Sequence, residues 1–262
     1  MNLELAGRVA FIAGSSRGIG RAIAAALLDE GARIVLTGRN PEALASTQCE
    51  LATTAEAATR ILAIQADLSI PDSIENAYAR TIHHFGQLDH LVANLGTGSG
   101  TTGWQPAEAE WARLFEANFF SSVRLTQAAV PHLSRSASAS ILFISSIVAI
   151  EATQAPLPYS AAKAALTNYA KNLSRALAPR HIRVNTICPG NVFFPGGSWE
   201  RHLTSDHRAV ERMLETEVPL QRFGTPAEIA ALAVYLCSPL AAFTTGSTIV
   251  IDGGQTRGID AP

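Results

Sequence analysis

The chain has 262 residues, 47% of them hydrophobic and 16% charged, which is enough apolar length to bury one large core, so a single domain over 1–262 is expected. A formal net charge of -2 gives nucleic acid and anionic membrane no electrostatic hold, and no run approaches the roughly 18 consecutive apolar residues of a membrane span. Cys49, Cys188 and Cys237 are odd in number and too far apart for a CxxC or metal-ligand spacing, which favours a reducing, cytoplasmic setting and no metal.

The opening Met1-Asn2-Leu3-Glu4-Leu5 lacks the basic start of a signal peptide. The first β-rich apolar run predicts a strand over 9–13. It runs into Gly14-Ser15-Ser16-Arg17-Gly18-Ile19-Gly20, which opens directly into a predicted helix over 18–30. Such a turn is a place for a nucleotide pyrophosphate, because glycine lets the backbone approach the ligand and the helix start offers unpaired N–H groups. The spacing is Gly-x3-Gly-x-Gly rather than the commoner G-x-G-x-x-G, and a plain connection is the alternative reading. The second strand, over 33–37, ends in Thr37-Gly38-Arg39, with no carboxylate for an adenosine ribose hydroxyl. Arg39, with Arg17 from the glycine turn, instead offers guanidinium groups to a 2′-phosphate, which favours NADP(H); either arginine alone reads as a solvated surface charge.

A helix over 41–54, a strand over 61–65, a helix over 71–85 and a strand over 91–94 follow. After a Gly- and Thr-rich loop at 96–103 comes one long predicted helix over 108–133. The fifth strand, over 141–144, ends at Ser145-Ser146, and the next helix, over 159–177, begins Tyr159-Ser160-Ala161-Ala162-Lys163. One helical turn puts the phenol and the ammonium on one face, where the positive charge favours phenolate and draws its pKa down from near 10. Tyr159 is therefore a candidate general acid/base, and the Ser146 hydroxyl a candidate to hold a reacting carbonyl. By itself a Tyr-x3-Lys spacing is ordinary helix packing; its weight comes from the strand-end serine and the glycine turn. A sixth strand over 183–188 leads into a long insertion near 191–217, read as a loop, before a helix over 226–237 and a strand over 248–251. The alternation predicts an α/β fold: a Rossmann-type doubly wound sheet of about seven parallel strands with helices on both faces. Both long loops then leave carboxyl ends of strands, where ligands bind in open α/β sheets.

On these motifs the chain resembles the short-chain dehydrogenase/reductase family over essentially its whole length. The resemblance implies Tyr159 as catalytic acid/base, Lys163 as the residue that binds the nicotinamide ribose and lowers the tyrosine pKa, and Ser146, rather than Ser145, as the group orienting the substrate oxygen. Asn118, in Glu116-Ala117-Asn118-Phe119, matches the asparagine that supports a proton relay to the lysine. Cofactor contacts are implied at Gly14, Ser16, Arg17, Gly18, Ile19 and Gly20 of the turn, at Arg39, and at Asp67 and Leu68, whose aspartate faces the adenine. Further contacts are implied at Asn94 and Gly96 of Ala93-Asn94-Leu95-Gly96, at Pro189, Gly190 and Val192, and at Tyr159 and Lys163 themselves. Arg222 to Glu228 and Ile251-Asp252-Gly253-Gly254 resemble motifs of packing and subunit contact, and a homotetramer is expected. Three departures bear on cofactor affinity: Ala13 replaces a threonine before the first glycine, Ala93 and Leu95 alter an Asn-Asn-Ala-Gly motif, and Phe194 replaces a threonine linked to the cofactor.

The reaction so implied is NADP(H)-dependent hydride transfer to or from a small-molecule carbonyl or secondary alcohol. Members that reduce 3-oxoacyl groups on acyl carrier protein share this glycine pattern, and Arg180 suits an acidic carrier, whereas 134–140 offers only Arg135. Ketone, steroid-like and sugar alcohol dehydrogenation stay open. A non-catalytic NADP(H)-sensing protein is the rival of another class, and it predicts a broken Ser-Tyr-Lys set, which is whole here. Trp104, Pro156-Leu157-Pro158, Phe193, Phe194 and Trp199 either line an apolar pocket beneath a movable lid or pack on the protein's own core. His202 and His207 read as surface residues.

Overall fold

The central strands read as nearly continuous apolar runs because each of their faces serves a separate core. In the computed structural model, which describes residues 2–258, seven strands form one parallel sheet: β1 (Val9–Ile12), β2 (Arg33–Gly38), β3 (Ile61–Gln65), β4 (His90–Ala93), β5 (Ser140–Ile144), β6 (Arg183–Pro189) and β7 (Thr248–Ile251). Their order is β3-β2-β1-β4-β5-β6-β7. Along β1, Ala10 and Ile12 point into one core, while Val9 and Phe11 point into the other. Leu142 and Ile144 of β5 join the first, Ile141 and Phe143 the second.

Helices α1 (Gly18–Asp29), α2 (Pro41–Leu51), α3 (Ala55–Thr59) and α4 (Pro71–Phe85) belong to the first half of the chain. They are followed by α5 (Glu108–Phe115), α6 (Ser121–Leu133), α7 (Leu157–Leu177), α8 (Ser198–Ser205), α9 (His207–Glu217) and α10 (Pro226–Cys237). The first core is closed by Ile23 and Leu27 of α1 with Ile229 and Ala233 of α10. Tyr78 of α4, Leu125 of α6 and Leu166 of α7 close the second. Each large side chain so buried contributes about 1.5–3 kcal/mol relative to exposure.

Three local expectations are corrected. The long helix over 108–133 is not regular: residues Glu116–Phe120 form a π turn between α5 and α6, with the Ser121 N–H reaching back to the Glu116 carbonyl. A short helix, α3, precedes β3 where none was expected. The insertion at 191–217 is not a loop throughout but carries α8 and α9. Asp206 caps α9 by accepting from the Ala209 N–H at 3.0 Å, and Val210 is its buried anchor. The i, i+3, i+4 spacing of Val210, Met213 and Leu214 after that aspartate is the signal that was available.

Chain order reverses between β1 and β4, one leading outward to β2 and β3, the other to β5, β6 and β7. At such a switch point the two connections leave in opposite directions and open a crevice beyond the strand ends.

Candidate active site

The glycine turn between β1 and α1 stands at that crevice. Its second function, beyond turning, is to leave room: a β-carbon on Gly20 would lie 2.4 Å from the Gly14 carbonyl oxygen and 2.6 Å from Asn94 Nδ2. Asn94 Nδ2 in turn donates to the Gly14 carbonyl at 3.1 Å, tying the turn to the end of β4. Ala13 has no hydroxyl for this purpose, and two neighbours take over. Ser15 Oγ and Thr37 Oγ1 each donate to the Ile12 carbonyl, at 2.9 and 3.0 Å, while Thr37 Oγ1 accepts from the Gly14 N–H at 3.2 Å. No side chain caps the start of α1, so its first N–H groups face the crevice with the positive end of the helix dipole. Turn, helix start and tethered backbone fit a dinucleotide pyrophosphate.

Around this cradle the expected cofactor residues fall in two groups. Ser16, Ile19 and Leu68 lie around the turn and the neighbouring strand ends, with Leu68 buried and Ser16 against Gly38. Arg39 is exposed at the end of β2 and close enough to Asp67 for its charge to help lower the carboxyl pKa, whose main cause is the hydrogen bonds from Ser69. Arg17, expected to join Arg39 at a 2′-phosphate, donates through Nη1 to the Gly196 carbonyl at 2.9 Å and so leans toward the 191–217 segment instead. Phe194 lies directly on the turn, its ring atoms 2.7 Å from where a β-carbon of Gly18 would be. On the other side of the crevice, Pro189 and Gly190 end β6. A β-carbon on Gly190 would meet Asp252 at 2.7 Å, and Val192 is buried beside them.

The four catalytic candidates converge from three elements. Ser146 stands two residues past the end of β5, and its hydroxyl is close enough to that of Tyr159, at the start of α7, to act on the phenol's ionisation. Lys163 is 4% exposed and donates through Nζ to the Ile144 carbonyl at 2.9 Å and the Leu95 carbonyl at 3.4 Å. Asn118, fully buried in the π turn, donates through Nδ2 to the Leu114 carbonyl at 2.9 Å and to the Thr97 carbonyl at 3.1 Å, and accepts the Thr97 N–H at 3.0 Å. The π turn thus presents the amide to the loop after β4 while the side chain also satisfies a helix carbonyl. Gly96 lets this loop pass: a β-carbon there would lie 2.5 Å from Asn118 Oδ1 and 3.1 Å from Lys163 Nζ. Ser145 is structural, its buried hydroxyl 2.9 Å from Thr167 Oγ1 and 3.3 Å from the Lys163 carbonyl, where it pins α7 to β5.

The electrostatics differ from the expectation at Tyr159. Burial raises the phenol pKa above its usual value, the Ser146 hydroxyl opposes this, and nearby Cys188 adds to the rise. Lys163 does not pull it down, because burial weakens its own charge, bringing its pKa to about 8, and its Nζ is turned to backbone carbonyls. The phenol is therefore held as a proton donor.

Of the aromatic residues expected at a pocket, several pack on each other. Phe193 and Trp199 stand 5.8 and 5.2 Å from Phe223, and His202 packs tilted against Trp199 at 5.4 Å. His207 pairs with Glu211 along α9. Trp104, 80% exposed, and Leu157, two residues before Tyr159 in the chain, instead line a cleft of ≈ 360 Å³ with Thr102, Thr153 and Gln154. Among the described residues no helix is long and apolar enough to cross a membrane, and no cluster of three His, Cys, Asp or Glu residues is suited to a metal ion.

Comparison with known proteins finds relatives along nearly the whole chain. A family model described as enoyl-(acyl carrier protein) reductase matches residues 13–256. The chain is 36% identical, over 96% of its length and 97% of the relative's, to the rhamnolipids biosynthesis 3-oxoacyl-[acyl-carrier-protein] reductase of Pseudomonas aeruginosa. An NADPH-bound short-chain oxidoreductase of the same organism, described as containing an atypical catalytic centre, superposes with a TM-score of 0.90 at 30% identity, covering 96% of this chain and 97% of that one. L-Sorbose reductase of Gluconobacter frateurii, in complex with NADPH and L-sorbose, superposes with a TM-score of 0.88 at 32% identity, covering 99% and 100%.

Proposed function

The chain belongs to the short-chain dehydrogenase/reductase family, and from that premise we propose that it is an NADP(H)-dependent reductase of a small-molecule carbonyl, working reversibly on the corresponding secondary alcohol. The observation that carries this reading is the pairing of two hydroxyl donors, Ser146 and a Tyr159 held protonated by burial, at the end of β5 beside the switch-point crevice. Two O–H groups converging on one point suit a carbonyl oxygen that becomes an alkoxide, since each strengthens as negative charge develops there.

When bound, NADPH supplies the hydride. The protein's residues do the rest. Gly14, Gly18 and Gly20 admit the pyrophosphate to the start of α1, and Arg39 takes the 2′-phosphate in the absence of a carboxylate at the end of β2. Asn94 and Gly96 border the adenosine half, while Pro189, Gly190 and Val192 border the carboxamide. Ser146 holds the substrate oxygen and Tyr159 Oη gives it a proton; Lys163 and Asn118 return a proton to the tyrosine through water. NADPH-bound relatives support the cofactor, and the missing carboxylate after Gly38 supports it independently.

The substrate class that fits best is a 3-oxoacyl thioester or an open-chain ketone, because the cleft lined by Trp104 and Leu157 is open. The sorbose-reducing relative keeps a polyol ketone as the second reading, supported by Thr102, Thr153 and Gln154 in the same cleft. A homotetramer is the proposed assembly, and sedimentation at micromolar concentration showing only monomer would remove it.

The deciding experiment is NADPH oxidation against 3-oxoacyl thioesters, ketones and ketoses, with Tyr159→Phe beside the wild type. Turnover should fall by at least about 1,000-fold in the variant with NADPH affinity retained. Retained turnover sinks the mechanism, and a preference for NADH sinks the assignment of Arg39.

A further inference from the structure

The 191–217 segment reaches the loop in front of Tyr159 through one side chain. Arg201, in α8, donates through Nη2 to Ser99 Oγ at 2.9 Å. The Ser99 carbonyl accepts from Arg113 Nη2 at 2.8 Å, and the Ser99 N–H donates to Thr97 Oγ1 at 3.2 Å. Thr97 is gripped through both its backbone groups by Asn118. Between them, Gly98 lies against the Tyr159 ring, where a β-carbon would meet Cε1 at 3.4 Å. Among the described residues Arg201 has no carboxylate partner, so its hydrogen bond to Ser99 is not a by-product of an ion pair elsewhere.

We propose that Arg201 is a positioning residue of the reaction: seated on Ser99, it couples closure of the α8–α9 segment to the placement of residues 96–99 against Tyr159 and Asn118. The coupling runs from α8 through Ser99 and Thr97 to the buried asparagine without a gap in the hydrogen-bond chain. A lid that opens releases the Ser99 hydroxyl, and the backbone beside the tyrosine ring keeps only its supports from Arg113, Thr97 and Asn118. The inference rests on Tyr159 being the proton donor. It assigns the guanidinium to closure rather than to contact with the reacting atoms.

The test is a double-mutant cycle of Arg201→Ala and Ser99→Ala, with Arg201→Lys as the conservative variant. Each single variant should lower kcat about 5-fold with NADPH affinity unchanged, the double variant should be no slower than either single one, and the lysine should recover part of the loss, since it can also donate to Ser99. Losses that multiply in the double variant, or a wild-type kcat in Arg201→Ala, overturn the coupling. Proteolysis within 198–217 is measured in parallel in a Tyr159→Phe background, where turnover plays no part. Arg201→Ala and Ser99→Ala should speed cleavage equally; cleavage at the parental rate overturns the latch. Turnover retained in Tyr159→Phe would instead remove the reading of Tyr159 while the proteolysis still decides whether Arg201 closes the lid.

Discussion

Single side chains carry charge states that could not be assigned by spacing alone. His90 sits fully buried in β4, with Nδ1 2.8 Å from Ser140 Oγ and Nε2 without a partner. Burial lowers its pKa to about 4 against the opposing charge of Asp89. The folded protein therefore binds fewer protons there than the unfolded chain between about pH 4 and 6.5, so this contribution to stability is complete above about 6.5 and is lost as pH falls toward 4. Thermal denaturation across that window should show a slope of about 1 kcal/mol per pH unit that flattens in His90→Leu; an unchanged slope would place the titration elsewhere. Phe194 makes a different local demand. Its ring lies on Gly18, in the position where the family's threonine would face the cofactor. Phe194→Thr removes that cover and adds a hydroxyl donor, and NADPH should bind about 3- to 10-fold more tightly by fluorescence titration. Weaker binding would mean that the ring contributes to holding the cofactor.

At the scale of elements, the first turn of α1 and the π turn before α6 are the two pieces whose geometry the site cannot do without. Gly20→Ala places a methyl group against the Gly14 carbonyl and Asn94 Nδ2, both held by the strands behind them. Neither can retreat without opening the turn. The substitution should therefore cost about 1–3 kcal/mol of stability in a denaturant titration and abolish nucleotide binding; a stable variant that still binds NADPH would show the turn to be more pliable than its hydrogen bonds indicate. The π turn does its work through Asn118, which no helical periodicity distinguishes from its neighbours. Arg124 pairs with Glu116 and also donates to the Ser69 carbonyl, which ties this turn to the segment following β3.

For the whole molecule, the sheet order brings residues from the ends of six strands to one crevice, and their ionisation sets the working pH range. Tyr159 stays protonated through neutral pH, while Lys163 loses its proton at about 8. In the reduction direction, kcat/KM reports groups of the free enzyme and should fall as pH rises through about 8, once the lysine can no longer return a proton. A profile flat from pH 7 to 9.5 would remove Lys163 from the relay.

Seven strands, the doubly wound sheet, the glycine turn and the Ser146-Tyr159-Lys163 set were all legible in the sequence, because each depends on local periodicity or on a motif of fixed spacing. Strand runs are apolar on both faces, the turn is spelled out by glycines, and four residues along a helix always share a face. What lay beyond its reach depended on contacts between distant segments. The direction of the Tyr159 pKa came from burial, which the spacing to Lys163 does not report. Arg17 turned toward Gly196, Phe194 settled on Gly18, and Phe193 and Trp199 found Phe223, each partner being far away in the chain or on another element. The sequence alone determined which chemistry-bearing groups the protein owns and on which element each one sits. Only the tertiary structure decided their surroundings, because solvation, packing and the reach of a side chain across the crevice are properties of the folded neighbours and not of the residue itself.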